Sequence, residues 1–399
     1  MPDMQLIFAD QTIPRCLQKS LFLAGPSPRE KDVHDWRRDA LEFLQQAQYD
    51  DLTVFIPVPK ERFYLKHEND PSWTYDNQIE WECRCRQIAD AIVFWIPRDI
   101  QGGMPAYTTN IEFGEDLHSG KIFYGRPDNA EKCRYLDKRF EEIKQPVFTT
   151  LKSLLKYAVE QLGNGAYREN GEVFVPFFIW NSLQFQSWYT NLKQAGNRLD
   201  EAKLVHHVKF RPGYDSIFCF ILSVNIWVEL EQRHKSDEFI FARKDISTIV
   251  AYYRDVDDHD EIKLILVKEF RSPVNNHIGF VYELPGGSSM TAGDNDPQMT
   301  AKHEMEEETG LTVDDISRFQ YVGQRQLVAT LCSHQAQVYK LELNHHEYQK
   351  LLVYAQDKNV TFGVNEDSEK TYIEVVSLSN IKNTPLDFSM LGMIYQALY

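Results

Sequence analysis

At 399 residues the chain exceeds one typical core, so two domains are expected, and 43% hydrophobic with 13% aromatic residues excludes a disordered chain. A formal charge of −16 excludes a nucleic-acid duplex or an anionic membrane as the main partner. An anionic substrate must therefore be held by local Arg, Lys or metal. From the N-terminus the pattern alternates: residues 21–24 form a short apolar strand, 33–46 an amphipathic stretch, and 53–57 an apolar run. Residues 77–89 read as a helix, 91–96 as a buried strand, 111–119 as a helix and 122–124 as a strand. Such alternation predicts a Rossmann- or flavodoxin-like parallel sheet covered on both faces, with ligands at the carboxyl ends of the strands. The loops after Ala24, Pro57, Pro97 and Gly125 are where chemistry is expected.

Those loops and the helices they enter hold Gly25-Pro26-Ser27-Pro28-Arg29, Trp81-Glu82, Arg98-Asp99 and Thr108-Thr109-Asn110-Ile111-Glu112-Phe113-Gly114. With Phe94-Trp95-Ile96-Pro97, they resemble the nucleoside 2-deoxyribosyltransferase-like family from the N-terminus to about Tyr135. Asn110 can cap a helix, which puts Glu112 in its first turn, where the dipole favours an ionised carboxylate. The resemblance implies Glu112 as a nucleophile toward an anomeric carbon, Glu82 as the acid that handles the base, and Asp90, opening the adjacent strand, and Asn110 as substrate-binding residues. A further acid that the family keeps just before the nucleophile has no counterpart near Ala106, and Asp99 is only a distant substitute. Ser27 and Arg29 stand where a 5′-phosphate can be held, and Arg29 equally fits a surface position.

Residues 150–162 read as a helix closing this first domain, broken by Gly163-Asn164-Gly165; residues 174–188 are unusually aromatic, which reads as packing. The expected divisions are a first domain over 1–145, a connecting segment over 146–203 and a second domain over 204–399. In the second, residues 217–230, 239–242, 248–253 and 263–270 read as strands. Asp296 is an N-cap, Pro297 the first helical residue and Gly310 a stop, so one helix covers 297–309. On it Glu304, Glu307 and Glu308 project from one side while Glu306 points away. Clustered carboxylates without Cys or paired His suit Mg²⁺ or Mn²⁺, and Gly286-Gly287 upstream lets backbone approach a ligand closely.

Leu284-Pro285-Gly286-Gly287 followed by His303-Glu304-Met305-Glu306-Glu307-Glu308-Thr309-Gly310-Leu311 resembles the Nudix box of nucleoside-diphosphate-X pyrophosphohydrolases. His303 stands where the family has Arg, and the loop before it is slightly longer than usual, leaving no clear match for the first Glu of the box. Lys268-Glu269-Phe270-Arg271-Ser272-Pro273 and Tyr282-Glu283-Leu284-Pro285 resemble the ADP-ribose pyrophosphatase branch. That resemblance implies an α/β/α fold with a mixed sheet, Arg271 on the substrate and Glu283 near metal or ribose. It also implies an additional carboxylate in the acidic loop holding Glu366, Asp367 and Glu369; Glu366 or Glu369 is the choice, with Glu366 entering the metal set. Residues 335–343 and 372–376 read as strands and 386–399 as a closing helix.

The function this implies is Mg²⁺-dependent hydrolysis of a nucleoside diphosphate derivative such as ADP-ribose, joined to an N-glycosidase or deoxyribosyltransferase-like site. The alternative is a nucleotide sensor without turnover. The expected partner is a small nucleotide, with no nucleic-acid duplex and no membrane, and the sequence is compatible with a homodimer. The doublets His206-His207 and His345-His346 lack metal-ligand spacing. No segment has the make-up of a secretory signal, and the apolar run 217–228, interrupted by Ser223 and Asn225, is shorter than the ~20 residues of a membrane span. Six scattered cysteines, with Cys83-x-Cys85 matching no metal or redox pair, fit a reducing cytoplasm, although signal-independent secretion would leave no trace.

Overall fold

The computed structural model describes residues 4–30, 32–49, 51–65, 72–209, 217–254, 261–288, 296–363 and 369–399. The chain forms two compact units, 1–240 and 241–399. Among the described residues no helix is long and apolar enough to cross a membrane.

The first unit begins with β1 (Gln5–Phe8), β2 (Cys16–Leu17), β3 (Lys19–Ala24), α1 (Arg37–Gln46), β4 (Leu52–Ile56), α2 (Lys60–Leu65) and α3 (Tyr75–Ile88). It continues through β5 (Ala91–Trp95), α4 (Tyr107–Asp116), β6 (Ile122–Gly125), α5 (Arg134–Glu142), β7 (Val147–Phe148) and α6 (Leu151–Leu162). Six of these strands make a wholly parallel sheet in the order β1-β4-β3-β5-β6-β7, as the alternating pattern predicted. One face is covered by α1, through Ala40, Leu41 and Leu44, and by α6, through Leu154, Leu155, Ala158 and Val159. On the other face Trp81 of α3 packs against Phe22 and Phe55, and Phe113 of α4 against Phe94 and Tyr124. Chain order reverses between β3 and β5, so the crevice past their carboxyl ends is the natural ligand site of such a sheet.

The unit ends with β8 (Arg168–Glu169), which pairs with β2, then α7 (Phe177–Trp180), α8 (Leu183–Gln194), β9 (Arg198–Lys209), β10 (Ile217–Val228) and β11 (Arg233–Arg243). The last three form an antiparallel sheet in the order β11-β10-β9. The expected divisions at 145 and 203 differ from this arrangement in two respects. Helix α6, in the expected connecting segment, buries its apolar stripe in the first core, and the β9–β10 hairpin, placed at the start of the second domain, belongs to the first compact unit. The aromatic stretch does pack: Phe177, Phe178, Phe185 and Tyr189 are buried, with Phe185 stacked on Tyr189 at 5.4 Å.

The second unit is built on β12 (Ile246–Arg254), β13 (Ile262–Phe270), β14 (Phe280–Glu283), β15 (Gly286–Gly287), α9 (Pro297–Thr309), β16 (Gln320–Gln326) and β17 (Gln335–Glu342). It closes with α10 (His345–Gln356), β18 (Thr371–Ser377) and α11 (Phe388–Leu398). The sheet is mixed, β12 running parallel to β17 and antiparallel to β13. Alternation along β12 sends Ile249 and Ala251 to one face, against Ala301 and Met305 of α9 and Leu351 of α10. Val250 and Tyr252 go to the other, against Met393, Ile394 and Ala397 of α11. The result is the expected three-layer α/β/α arrangement.

Candidate functional sites

In the second unit, helix α9 has the expected limits. Asp296 accepts from the amides of Gln298 and Met299 at 3.0 and 3.4 Å, and Gly310 ends the helix in the left-handed conformation at φ +66°. Its three acids differ in depth. Glu308 is buried at 3% exposure, Glu304 is half-buried, and Glu307 is exposed, with its charge reaching Glu304. Glu306 lies outside the site and accepts from the Thr312 hydroxyl at 2.8 Å.

The strands deliver the remaining groups. On β13, Glu269 lies in phase with Ile265 and Val267, on the face that α9 covers. Glu269 pairs across with Thr371, so Glu369, two residues before it, enters from the same side; Val267 pairs with Glu283 on the other neighbour. Ligand oxygens of Glu269, Glu308 and Glu369 lie within 4.8 Å of one another. Burial above all, then Glu304 and its neighbours, pushes Glu308 well above the usual carboxylate range. Burial likewise moves Glu269 and Glu304 up to about 7, with Glu369 adding to both. An all-oxygen donor set carrying this much unrelieved negative charge fits a hard divalent cation.

Two backbone features admit the carboxylates. The Gly286 amide donates to Glu308 at 2.9 Å, and a Cβ on Gly287 would sit 2.4 Å from Glu304 Oε1. Arg271 bridges the rim, donating to Glu283 at 3.0 Å and lying 2.9 Å from Glu269. Glu366 and Asp367 lie outside the described residues. Glu269 was missed as a site residue, although a glutamate at an inward position of an otherwise apolar strand was a readable signal.

In the first unit, Glu82 of α3 and Glu112 of α4 meet in a side-chain hydrogen bond. Burial, then the neighbouring Glu82 charge, raises Glu112 to about 7, and burial raises Glu82 as well. Gln78 donates to Glu82 at 2.6 Å and to the Pro57 carbonyl at 3.1 Å, tying the pair to the loop after β4. Arg37, 1% exposed, acts electrostatically on both acids while donating to the carbonyls of Leu23 and Gly25 at 3.0 and 2.7 Å. Arg86 also acts on both and is paired with Asp116 and Glu115 at 2.5 and 2.9 Å. Two carboxyl groups so coupled hold one proton between them near neutral pH, because the second negative charge is disfavoured.

Three expectations are corrected here. Asn110 is not a cap: α4 starts at Tyr107 behind Ala106, which is left-handed at φ +60°, and Asn110 Oδ1 accepts instead from the buried Arg98. Glu112 therefore lies beyond the first turn, and its environment is set by burial and Glu82 rather than by the helix dipole. Asp90 does not face the crevice. It is 1% exposed, accepts from Ser20 at 2.9 Å and pairs at 2.6 Å with Arg168, itself fully buried, so its role is to hold β3, β5 and β8 together. Ser27 accepts from Arg37 at 3.2 Å, and exposed Arg29 has its guanidinium 5.2 Å from the Tyr107 ring centroid. The Arg37 signal was also readable: it occupies the stripe of Ala40, Leu41 and Leu44 on an amphipathic helix.

Residues 18–129 match the family model described as nucleoside 2-deoxyribosyltransferase like, so the first unit carries a domain of that family. No curated protein matches the chain. The chain is similar to the Nudix domain of Shewanella oneidensis NrtR complexed with ADP ribose, at 15% identity over 38% of this chain and 84% of that one, with a TM-score of 0.27. It is also similar to Shewanella oneidensis NrtR complexed with a 27mer DNA, at 17% identity over 38% of this chain and 59% of that one, with a TM-score of 0.27.

Proposed function

We propose that the second unit hydrolyses a phosphoric anhydride in a nucleoside diphosphate derivative, ADP-ribose being the type substrate. The observation that carries this reading is the convergence of Glu269, Glu308 and Glu369 within 4.8 Å, beside Arg271. Glu269, Glu308 and Glu369, with Glu304 and Glu307 adjoining, would hold Mg²⁺ or Mn²⁺. Such an ion, when bound, supplies charge neutralisation at the diphosphate and an acidified water. Arg271, held by Glu269 and Glu283, orients a diphosphate oxygen, and a carboxylate of the cluster accepts the proton of the attacking water. The P–O bond of the anhydride breaks and the leaving phosphate departs with its oxygen. Full-length protein with Mg²⁺ should convert ADP-ribose to AMP and ribose phosphate, and Glu308→Gln should reduce this at least about a hundredfold. Nucleotide binding without any product would favour a sensor instead.

The first unit supports a second reaction, at an N-glycosidic bond, because Glu82 and Glu112 form a one-proton pair beside the crevice. When the shared proton passes along the hydrogen bond from Glu112 to Glu82, the ionised Glu112 attacks the anomeric carbon, the C–N bond breaks and the base leaves with the proton of Glu82. Water or a second base then releases the sugar from Glu112. Free-base release from a nucleoside or nucleotide, lost in Glu112→Ala, is the expected result; identical release in the variant removes the assignment.

A further inference from the structure

The first unit also contains a cavity of about 1210 Å³ at the amino ends of β5 and β6, whose lining includes neither Glu82 nor Glu112. In a chain of charge −16, this cavity gathers Lys121, Lys144, Lys203 and Lys209 with His206 and His207. The acids of its lining are already committed: Glu115 and Asp116 to Arg86, and Glu142 to Arg139 at 2.5 Å. Lys121 is fixed by the carbonyls of Arg86 and Gln87, both at 2.7 Å. Lys144 and Lys203 have no ion pair among the described residues. Lys144 is also held left-handed at φ +53°, just past α5, where glycine or asparagine would fit at lower cost. Positive potential is felt at His207, which is pushed down to about 4, first by burial and then by Lys209, His206 and His118. Ile143, Leu204 and Val205 give the same cavity an apolar wall.

We propose that this cavity binds a phosphorylated small molecule of nucleotide class, its phosphates among Lys144, Lys203 and Lys209 and its organic part against Ile143, Leu204 and Val205. A phosphate alone needs only the lysines, whereas the apolar wall selects for an attached ring system. Site-resolved lysine acetylation of the full chain, read by mass spectrometry with ADP as probe and a chelator present, tests this without relying on either catalytic site. ADP should slow labelling of Lys144 and Lys203 by about tenfold, the effect of one strong charge-assisted contact, and leave Lys138 and Lys156 unchanged. In Lys144→Glu with Lys203→Glu, the ADP-dependent protection of Lys209 should disappear. Unchanged labelling overturns the proposal, as does equal protection by inorganic phosphate, which would assign the site to a bare anion.

Discussion

The Glu82–Glu112 pair makes the stability of the first unit depend on pH in a defined direction. Folding raises Glu112 from 4.5 to about 7, so the folded chain binds that proton more tightly than the unfolded one. Stability is therefore greatest below 4.5 as far as this group is concerned, and it falls as pH rises through 7, by roughly 3 kcal/mol in all. All seven tryptophans, from Trp36 to Trp227, lie in the first unit, so their fluorescence follows its unfolding alone. Between pH 5 and pH 8 the wild type should lose stability by that route, and Glu112→Gln should remove most of the slope; an unaltered slope would place the proton elsewhere. Asp90 offers the contrasting case. Asp90→Ala leaves Arg168 buried without its ionic partner and should cost roughly 3–5 kcal/mol by the same fluorescence.

At the scale of single elements, the parts legible in the sequence were those set by local chemistry. Asp296, Pro297 and Gly310 delimit α9 because capping and left-handed termination involve only near neighbours, and the phase of Glu304 and Glu308 follows from those limits. The start of α4 escaped because no side chain caps it: the turn at Ala106 and the Arg98–Asn110 contact are tertiary. Glu369 was already a candidate of the acidic loop, whereas Glu269 and Arg37 show in the sequence only as a charge at an inward position of an apolar stretch, and strand register and helix packing are what bring them to their sites. The box glycine shows the value of the local part. Gly287→Ala would put a methyl 2.4 Å from Glu304 Oε1, the mobile end of a flexible side chain. The carboxylate can swing away, so the melting temperature should change little, while metal-dependent turnover should fall by about tenfold or more. Equal loss of stability and turnover would show that Gly287 serves the fold alone.

For the molecule as a whole, the two units gather unlike groups, so the two proposed activities should be separable by experiment. The crevice of the first unit brings together two hydrogen-bonded carboxyl groups and the buried cations Arg37 and Arg86. Its charge balance is met by protein groups. In the second unit, by contrast, Glu269, Glu304, Glu308 and Glu369 crowd one another, with Arg271 opposing Glu269 and Arg243 opposing Glu304, so carboxyl groups outnumber the cations beside them. A chelator should therefore abolish diphosphate cleavage and leave base release unchanged, with Mg²⁺ restoring the former. Conversely, Glu112→Ala should remove base release and spare diphosphate cleavage, because the groups that chiefly act on the acid pair, Gln78, Arg37 and Arg86, belong to the first unit. Product analysis of one NAD-type nucleotide, with and without chelator, in the wild type and in Glu112→Ala, gives four conditions. Loss of both products in chelator would mean that the acid pair of the first unit also works with a bound cation, and would replace the one-proton description of that pair.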